Sequence, residues 1–396
     1  MSRIDDLIKE LAPQGVRYLA IGEFANVISG ATPASGHPEY WDGGTIPWMS
    51  SGEVNLGTVL DTEKRITQAG YDSCSTKMLP PNIVVMALAG QGKTRGLVAR
   101  TRVALCTNQS LAGIIPNESV DADYLFYFLQ TQYQQLRGIS SGDGTRGGLN
   151  LQMIRAYRIP VPPLEVQAEI VRILDHFTEL EAELEAELEA RRRQYAFYRD
   201  QMLFGTEARW STLGEVGRVA MCKRVFKNET SETGDIPFFK IGTFGGVPDS
   251  FIPRGLYDAY IREYSFPKKG DVLLSAAGTI GRAIEYDGAP AYFQDSNIVW
   301  VENDETKVLN RYLYYWYQVV EWTTEGGTIK RLYNENLRRA KIRIPPLSSQ
   351  REIVDVLDRF DALINDLSIG LPAELAARRQ QYDYYRDKLL TFEEAA

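Results

Sequence analysis

The chain has 396 residues, 44% hydrophobic and 24% charged, with a net charge of −8. That is an ordinary globular composition with room for two or three domains, and its overall charge does not point to nucleic acid. Three cysteines (Cys74, Cys106 and Cys222) outside any CxxC spacing and two histidines (His37 and His176) argue against a disulfide framework, a structural zinc site and a histidine-rich metal site.

The opening segment MSRIDDLIKELAPQ is amphipathic and acidic, with no signal-peptide core, and no apolar run is long enough to span a membrane. The reading is a cytoplasmic protein. Residues 1–157 are rich in Gly, Thr, Val, Ile and aromatics. IVVMALA (83–89) reads as a strand before a Gly-rich turn, and DYLFYFLQ (123–130) as an aromatic helix. Residues 158–206 are helical. After Pro162-Pro163, apolar residues at Ile170, Ile173, Leu174, Phe177, Leu180, Leu184, Leu188, Tyr195, Tyr198 and Met202 mark one seam. A helix from Leu164 to Phe204 would be about 60 Å long. Residues 207–340 return to short strands, VLLSAA (272–277) and NIVWVE (297–302), and to a second aromatic helix, RYLYYWYQ (311–318). Residues 341–396 are helical again, with a seam through Ile353, Leu357, Phe360 and Ile364 and an expected kink or break at Gly370-Leu371-Pro372. The net charges of the four segments are −1, −4, −1 and −2, so the acidity sits mainly in the helical blocks.

The helical blocks say one thing twice. IPVPPLEVQAEIVRILDHF begins at Ile159 and IRIPPLSSQREIVDVLDRF at Ile342, a shift of 183; QYAFYRDQML at Gln194 returns as QYDYYRDKLL at Gln381, a shift of 187. So long a period is not a solenoid; it is a duplicated half-molecule, able to present two similar faces about an approximate two-fold axis. Weaker matches link the intervening regions: Gly22-Glu23 with Gly214-Glu215, Ile46-Pro47-Trp48 with Ile236-Pro237-Phe238, and Gly144-Thr145 with Gly327-Thr328. Two regions with one fold and different loops fit two readers of two different things.

Catalytic patterns are missing. Ala87-x-x-x-x-Gly92-Lys93-Thr94 follows a strand as a P-loop does, but RGLVARTRVALC after it reads as strand, not as the helix whose N-terminus would hold phosphates. No Asn/Asp-Pro-Pro-aromatic element of an adenine methyltransferase occurs, and no GxSxG, HExxH or EF-hand pattern. No catalytic, cofactor-binding or metal-binding residue is nominated. What remains are basic residues in glycine-rich or polar loops: Lys93, Arg95, Arg100 and Arg102, then Arg146, in the first region; Lys223, Arg224, Lys227, Lys330 and Arg331 in the second. Of these, Lys93, Arg95, Arg146, Lys223, Arg224, Lys227, Lys330 and Arg331 are the candidates for DNA contact, since glycine lets backbone approach phosphate and Arg or Lys can reach guanine edges. Trp41 and Trp48 read as core or loop-anchoring aromatics.

The alternation of variable region, first helical block, variable region and second helical block closely resembles the DNA specificity subunit (HsdS) of type I restriction-modification systems. The segment GATPASGHPEYWDGGTIPWMSSGEV (30–54) resembles the opening of a target recognition domain of that family. The resemblance implies an α+β fold: two similar β-rich recognition domains (1–157 and 207–340) separated by two long antiparallel coiled-coil helices (158–206 and 341–396) with pseudo-two-fold symmetry. It implies a non-catalytic subunit in which each domain reads one half of a split double-stranded DNA target and the helices act as a ruler. Helix ends would dock two modification subunits, and restriction subunits would join that core. S-adenosylmethionine, ATP and magnesium would belong to those partners and no cofactor to this chain. The alternatives are a specificity subunit of a related system outside type I, a scaffold of duplicated modules that does not bind DNA, and a stand-alone enzyme.

Overall fold

The computed structural model describes residues 2–90, 94–140, 148–205, 207–325, 330–365 and 370–395. The chain divides into two compact units. Unit 1 comprises residues 1–183 and 375–396, and unit 2 residues 184–374. Each unit therefore takes one recognition region together with helical segments from both repeated blocks. Both are α+β.

In unit 1 the main sheet runs in the order Ala25–Ser29, Leu111–Pro116, Val84–Ala87, Val98–Thr101 and Thr58–Val59. A second sheet places Ile46–Met49 between Lys64–Ile66, antiparallel, and Cys106–Thr107, parallel. Unit 2 repeats this plan. Its main sheet runs Arg218–Ala220, Ile298–Glu302, Val272–Ser275 and Ala283–Glu285, and its second sheet places Ile236–Phe239 between Phe251–Ile252 and Tyr292–Phe293. The expected apolar runs are the central strands. Val84–Ala87 and Val272–Ser275 are buried throughout, as strands covered on both faces must be. Val84–Ala87 turns back antiparallel into Val98–Thr101, so the P-loop-like stretch is a hairpin that enters a strand, as its Val-rich sequel foretold. Gly96 at φ +85° and Gly281 at φ +90° close the two equivalent hairpins, donating to the Ala87 carbonyl at 2.9 Å and the Ser275 carbonyl at 3.0 Å. Only glycine adopts that backbone without strain.

The central helix spans Leu164–Gly205, and Ile170, Leu174, Leu188 and Tyr195 of its predicted seam are buried. The second block forms two helices, Leu347–Asn365 and Leu371–Leu389, so the interruption at Gly370-Leu371-Pro372 ends one and starts the next. Proline is tolerated there because the first turn has no acceptor for its missing N–H. Within unit 1 the central helix runs antiparallel to Leu371–Leu389: Phe177 packs on Tyr385 at 5.7 Å and Tyr382 at 6.3 Å, and Glu181 pairs with Arg379 at 2.6 Å. Within unit 2 Tyr198 of the central helix meets Phe360 at 6.1 Å.

Identical residues of the repeat fasten the helices to the sheets. Gln167 is fully buried; its carbonyl accepts from the Asp121 N–H at 2.8 Å and its amide donates to the Ser119 and Pro162 carbonyls. Gln350, also fully buried, does the same with the Leu309 N–H at 2.9 Å and the Lys307 and Pro345 carbonyls. Tyr124 donates to the Pro160 carbonyl and Tyr312 to that of Arg343. Tyr127 donates to Asp175 at 2.6 Å, and Tyr315 donates to Asp358. Burial, then the adjoining carboxylate, hold both Tyr127 and Tyr315 phenols above their ordinary value, so they remain donors at neutral pH.

Candidate nucleic-acid interface

Unit 2 carries an open cleft of about 730 Å³ that gathers residues far apart in sequence. Arg224 and Lys227 come from the loop after Arg218–Ala220, Lys240 from the end of Ile236–Phe239, Gln294 and Asn297 from the loop after Tyr292–Phe293, and Arg331 from the segment before the helix Asn334–Arg339. Three of the nominated residues, Arg224, Lys227 and Arg331, thus share one cleft. Lys240, which sequence reasoning missed, joins them; its only signal is a lone basic residue closing the apolar strand IPFF.

Their environments differ. The exposed guanidinium of Arg224 sends Nε to Asp295 Oδ2 at 2.9 Å, with Nη2 on the same oxygen at 2.9 Å. Arg331 has Nη2 committed to the Ser296 carbonyl, the Ser296 hydroxyl and Asn297 Oδ1, all within 3.0 Å. Lys240 pairs with Asp249 at 2.8 Å. Lys227 opens a short 3-10 turn closed by Glu229, whose carboxylate accepts from the Phe226 N–H. Lys223 lies 4.9 Å from the Tyr264 ring, and its carbonyl accepts from Tyr292 at 3.1 Å. Lys330 is exposed.

In unit 1, Lys93 and Arg146 lie outside the described residues. Arg95 is 7% exposed, and its Nε and Nη1 are buried without a hydrogen-bond partner. Arg100 and Arg102, grouped with it as loop cations, turn inward instead. Arg100 pairs with Asp175 at 2.9 Å and Asp123 at 3.2 Å and covers the Phe126 and Tyr127 rings, while Arg102 also reaches Asp123. Their strand packs under the aromatic helix Ala122–Thr131, so a basic residue there meets carboxylates rather than solvent. Trp41 and Trp48 are loop anchors, as their surroundings in the sequence suggested: Trp48 is buried and donates to the Ala31 carbonyl at 3.0 Å, and Trp41 donates to that of Ala34 at 3.2 Å.

The two clefts can be matched position by position. Ile28 pairs with Gly113 and Ala220 with Trp300, at equivalent points of the two main sheets. Asn108 donates its N–H to the Met49 carbonyl, as Gln294 does to that of Phe239. Counting on from these points sets Thr32 against Arg224 and Gln109 against Asp295. The match is physical as well as numerical. The Thr32 hydroxyl donates to Gln109 Oε1, just as Arg224 donates to Asp295. Arg331 has Gly148 opposite it, because Leu332 and Leu149 bond the equivalent carbonyls of Ala276 and Leu88.

Among the described residues, no group of three or more His, Cys, Asp or Glu is arranged to hold a metal ion, and no helix is long and apolar enough to cross a membrane. Comparison with known proteins decides the family. The profile of the "Type I restriction modification DNA specificity domain" matches residues 13–190 and again 207–377. The chain belongs to the family of type I restriction-modification specificity subunits (HsdS). It is 51% identical over 257 residues to a putative type I restriction enzyme specificity subunit of Haemophilus influenzae, covering 62% of this chain and 67% of that one. It is 30% identical over 295 residues to the EcoR124I/EcoR124II specificity subunit of Escherichia coli, covering 68% and 70%. Among solved structures, the specificity subunit shares its fold with a chain from a study of complex assembly and conformational transition of the type I system (TM-score 0.66, 17% identity, 96% and 98% covered). It also shares the fold of the S subunit from M. genitalium (TM-score 0.55, 14% identity, 95% and 96% covered).

Proposed function

We propose that this specificity subunit binds double-stranded DNA and reads a bipartite target, one half-site with each recognition domain, without catalysing a reaction itself. Two modification subunits dock on its helices, and restriction subunits join through that core. These partners carry S-adenosylmethionine, ATP and magnesium, and the complex works in the cytoplasm. The observation that supports this reading is the combination of an identical anchoring scaffold with unlike cleft residues: Gln167, Asp175 and Tyr127 repeat as Gln350, Asp358 and Tyr315, whereas Thr32, Gln109 and Gly148 face Arg224, Asp295 and Arg331. Shared scaffold fixes the geometry of reading, and unlike clefts supply two different half-sites.

Sequencing of methylated DNA from cells that express this chain with its modification partner tests it. The expected result is adenine methylation in a split motif with an unspecified spacer, and no methyl transfer from S-adenosylmethionine by the purified chain alone. An undivided motif, or methylation by the chain alone, overturns the reading.

A further inference from the structure

We propose that Arg224 and Gln109 are the specificity-determining residues at one equivalent position of the two half-sites, Arg224 reading a guanine and Gln109 an adenine. The proposal rests on the bipartite DNA reading above. Each residue belongs to a hydrogen-bonded pair, Arg224–Asp295 and Thr32–Gln109, built by the same two loops on the same two strands. In both domains these loops are forced together. A Cβ on Gly30 would stand 1.8 Å from the Thr107 carbonyl, so only glycine lets the Thr32 loop lie on Thr107. In unit 2 the corresponding Cys222 is buried and hydrogen-bonds the backbone of Phe293, the residue before Gln294. The loops are also pinned from outside, by the Trp48 and Trp41 indoles on either side of Thr32 and by the Tyr292 hydroxyl on the Lys223 carbonyl. A surface pair held so firmly, in a slot whose frame is constant and whose chemistry changes, is where a common fold can carry different sequence information.

The choice of base follows from donor geometry. Asp295 occupies the Nε–Nη2 edge of Arg224 and leaves the outer Nη1–Nη2 fork of an exposed side chain directed away from its partner. That fork fits guanine O6 and N7 in the major groove. Gln109 is exposed, and its carboxamide offers one acceptor and one donor to adenine N6 and N7. Arg331 is already committed to Ser296 and Asn297, so it braces the loop that presents Asp295. Asp295 is accordingly a positioning residue.

The test is the methylated motif and the DNA affinity of the complex with the modification partner, for wild type, Arg224→Ala, Arg224→Lys, Asp295→Ala and Gln109→Ala. Arg224→Ala should relax a single guanine of one half-site, losing roughly 5- to 150-fold discrimination there, and leave the other half-site intact. Arg224→Lys keeps the charge and the salt slope but not the fork, so the same guanine stays relaxed. Asp295→Ala should weaken that position alone, and Gln109→Ala should relax one adenine in the other half-site. If Arg224→Ala abolishes modification, wild-type binding is measured on probes carrying 7-deazaguanine at one guanine at a time. A single substitution must then weaken binding, and must cost nothing further in the variant. An undivided wild-type motif overturns the bipartite reading itself. A split wild-type motif left unchanged by Arg224→Ala, or discrimination fully restored by Arg224→Lys, overturns only the assignment of Arg224 as a base reader.

Discussion

In unit 1 the arginine that meets the helical Asp175 stands on the strand Val98–Thr101, and its second carboxylate, Asp123, on the helix Ala122–Thr131. In unit 2 the two are exchanged: Arg311 stands on the helix Asn310–Tyr317 and Glu285 on the strand Ala283–Glu285, 3.2 Å apart, with Arg311 reaching Asp358 at 2.6 Å. The positions are equivalent. Arg100 faces Val84 and Glu285 faces Val272 in the two hairpins, and each helical residue lies four before the tyrosine that bonds the aspartate. The repeated helix demands a cation beside its aspartate and accepts it from either element. Gln167 and Gln350 allow no such exchange, because their partners are backbone groups whose directions the fold has set. Charge partners are fungible in a way that directed amide bonds are not.

Four experiments break or sharpen this comparison. The largest effect belongs to Arg100, whose side chain is only 11% exposed. Arg100→Glu sets a third carboxylate beside Asp123 and Asp175 and should destabilise unit 1 by about 4 kcal/mol, as for a broken buried pair. Arg100→Glu with Asp123→Arg imports the arrangement of unit 2 and should recover at least half of that in urea unfolding followed by hydrogen exchange. A double variant as unstable as the single one would show that the two arrangements are not interchangeable.

Replacing the buried amides comes next. Gln167→Leu and Gln350→Leu each orphan one N–H and two carbonyls and should each cost about 2–3 kcal/mol. Hydrogen exchange of the two units should respond alike; a large difference would show that the repeated residue does unequal work. Tyr127→Phe should cost about 1.5 kcal/mol and Tyr315→Phe about 1 kcal/mol, since Asp175 is 34% exposed and Asp358 41%. Calorimetry of the two variants checks the order.

The smallest effect is alkaline. Burial holds the Cys106 thiol of unit 1 up at about 11 and the Cys222 thiol of unit 2 up at about 12, whereas an unfolded thiol ionises near 8.5. Above pH 9 the unfolded chain has released protons that the native chain retains, so stability falls as pH rises, by up to about 1.4 kcal/mol per pH unit for each thiol. Cys106→Ala and Cys222→Ala should each flatten the decline measured between pH 9 and 10, below the titration of unfolded tyrosine. Unchanged slopes would mean that both thiols already ionise in the native chain.

The sequence by itself determined the duplication, the central strands, the aromatic helices, the 42-residue helix and the break at Gly370-Leu371-Pro372. Each is written in local periodicity or in a residue whose backbone preference acts over a single turn. It also placed Arg224, Lys227 and Arg331 among the candidates, although basic residues in polar loops cannot announce what they will face. Only the tertiary structure decided that Arg100 and Arg102 turn inward, that Lys240 joins the cleft, and that Thr32 meets Gln109 as Arg224 meets Asp295, across 77 and 71 residues of chain. The same holds for the last segment. Leu389 and Leu390 carry the seam of a helix that could bury its face anywhere, yet they are buried in the core of unit 1, where Val16 pairs with the backbone of Glu393 and Ala395. An apolar stripe states that a face must be covered; which surface covers it depends on shape and on hydrogen-bond partners that come together only when the whole chain has folded.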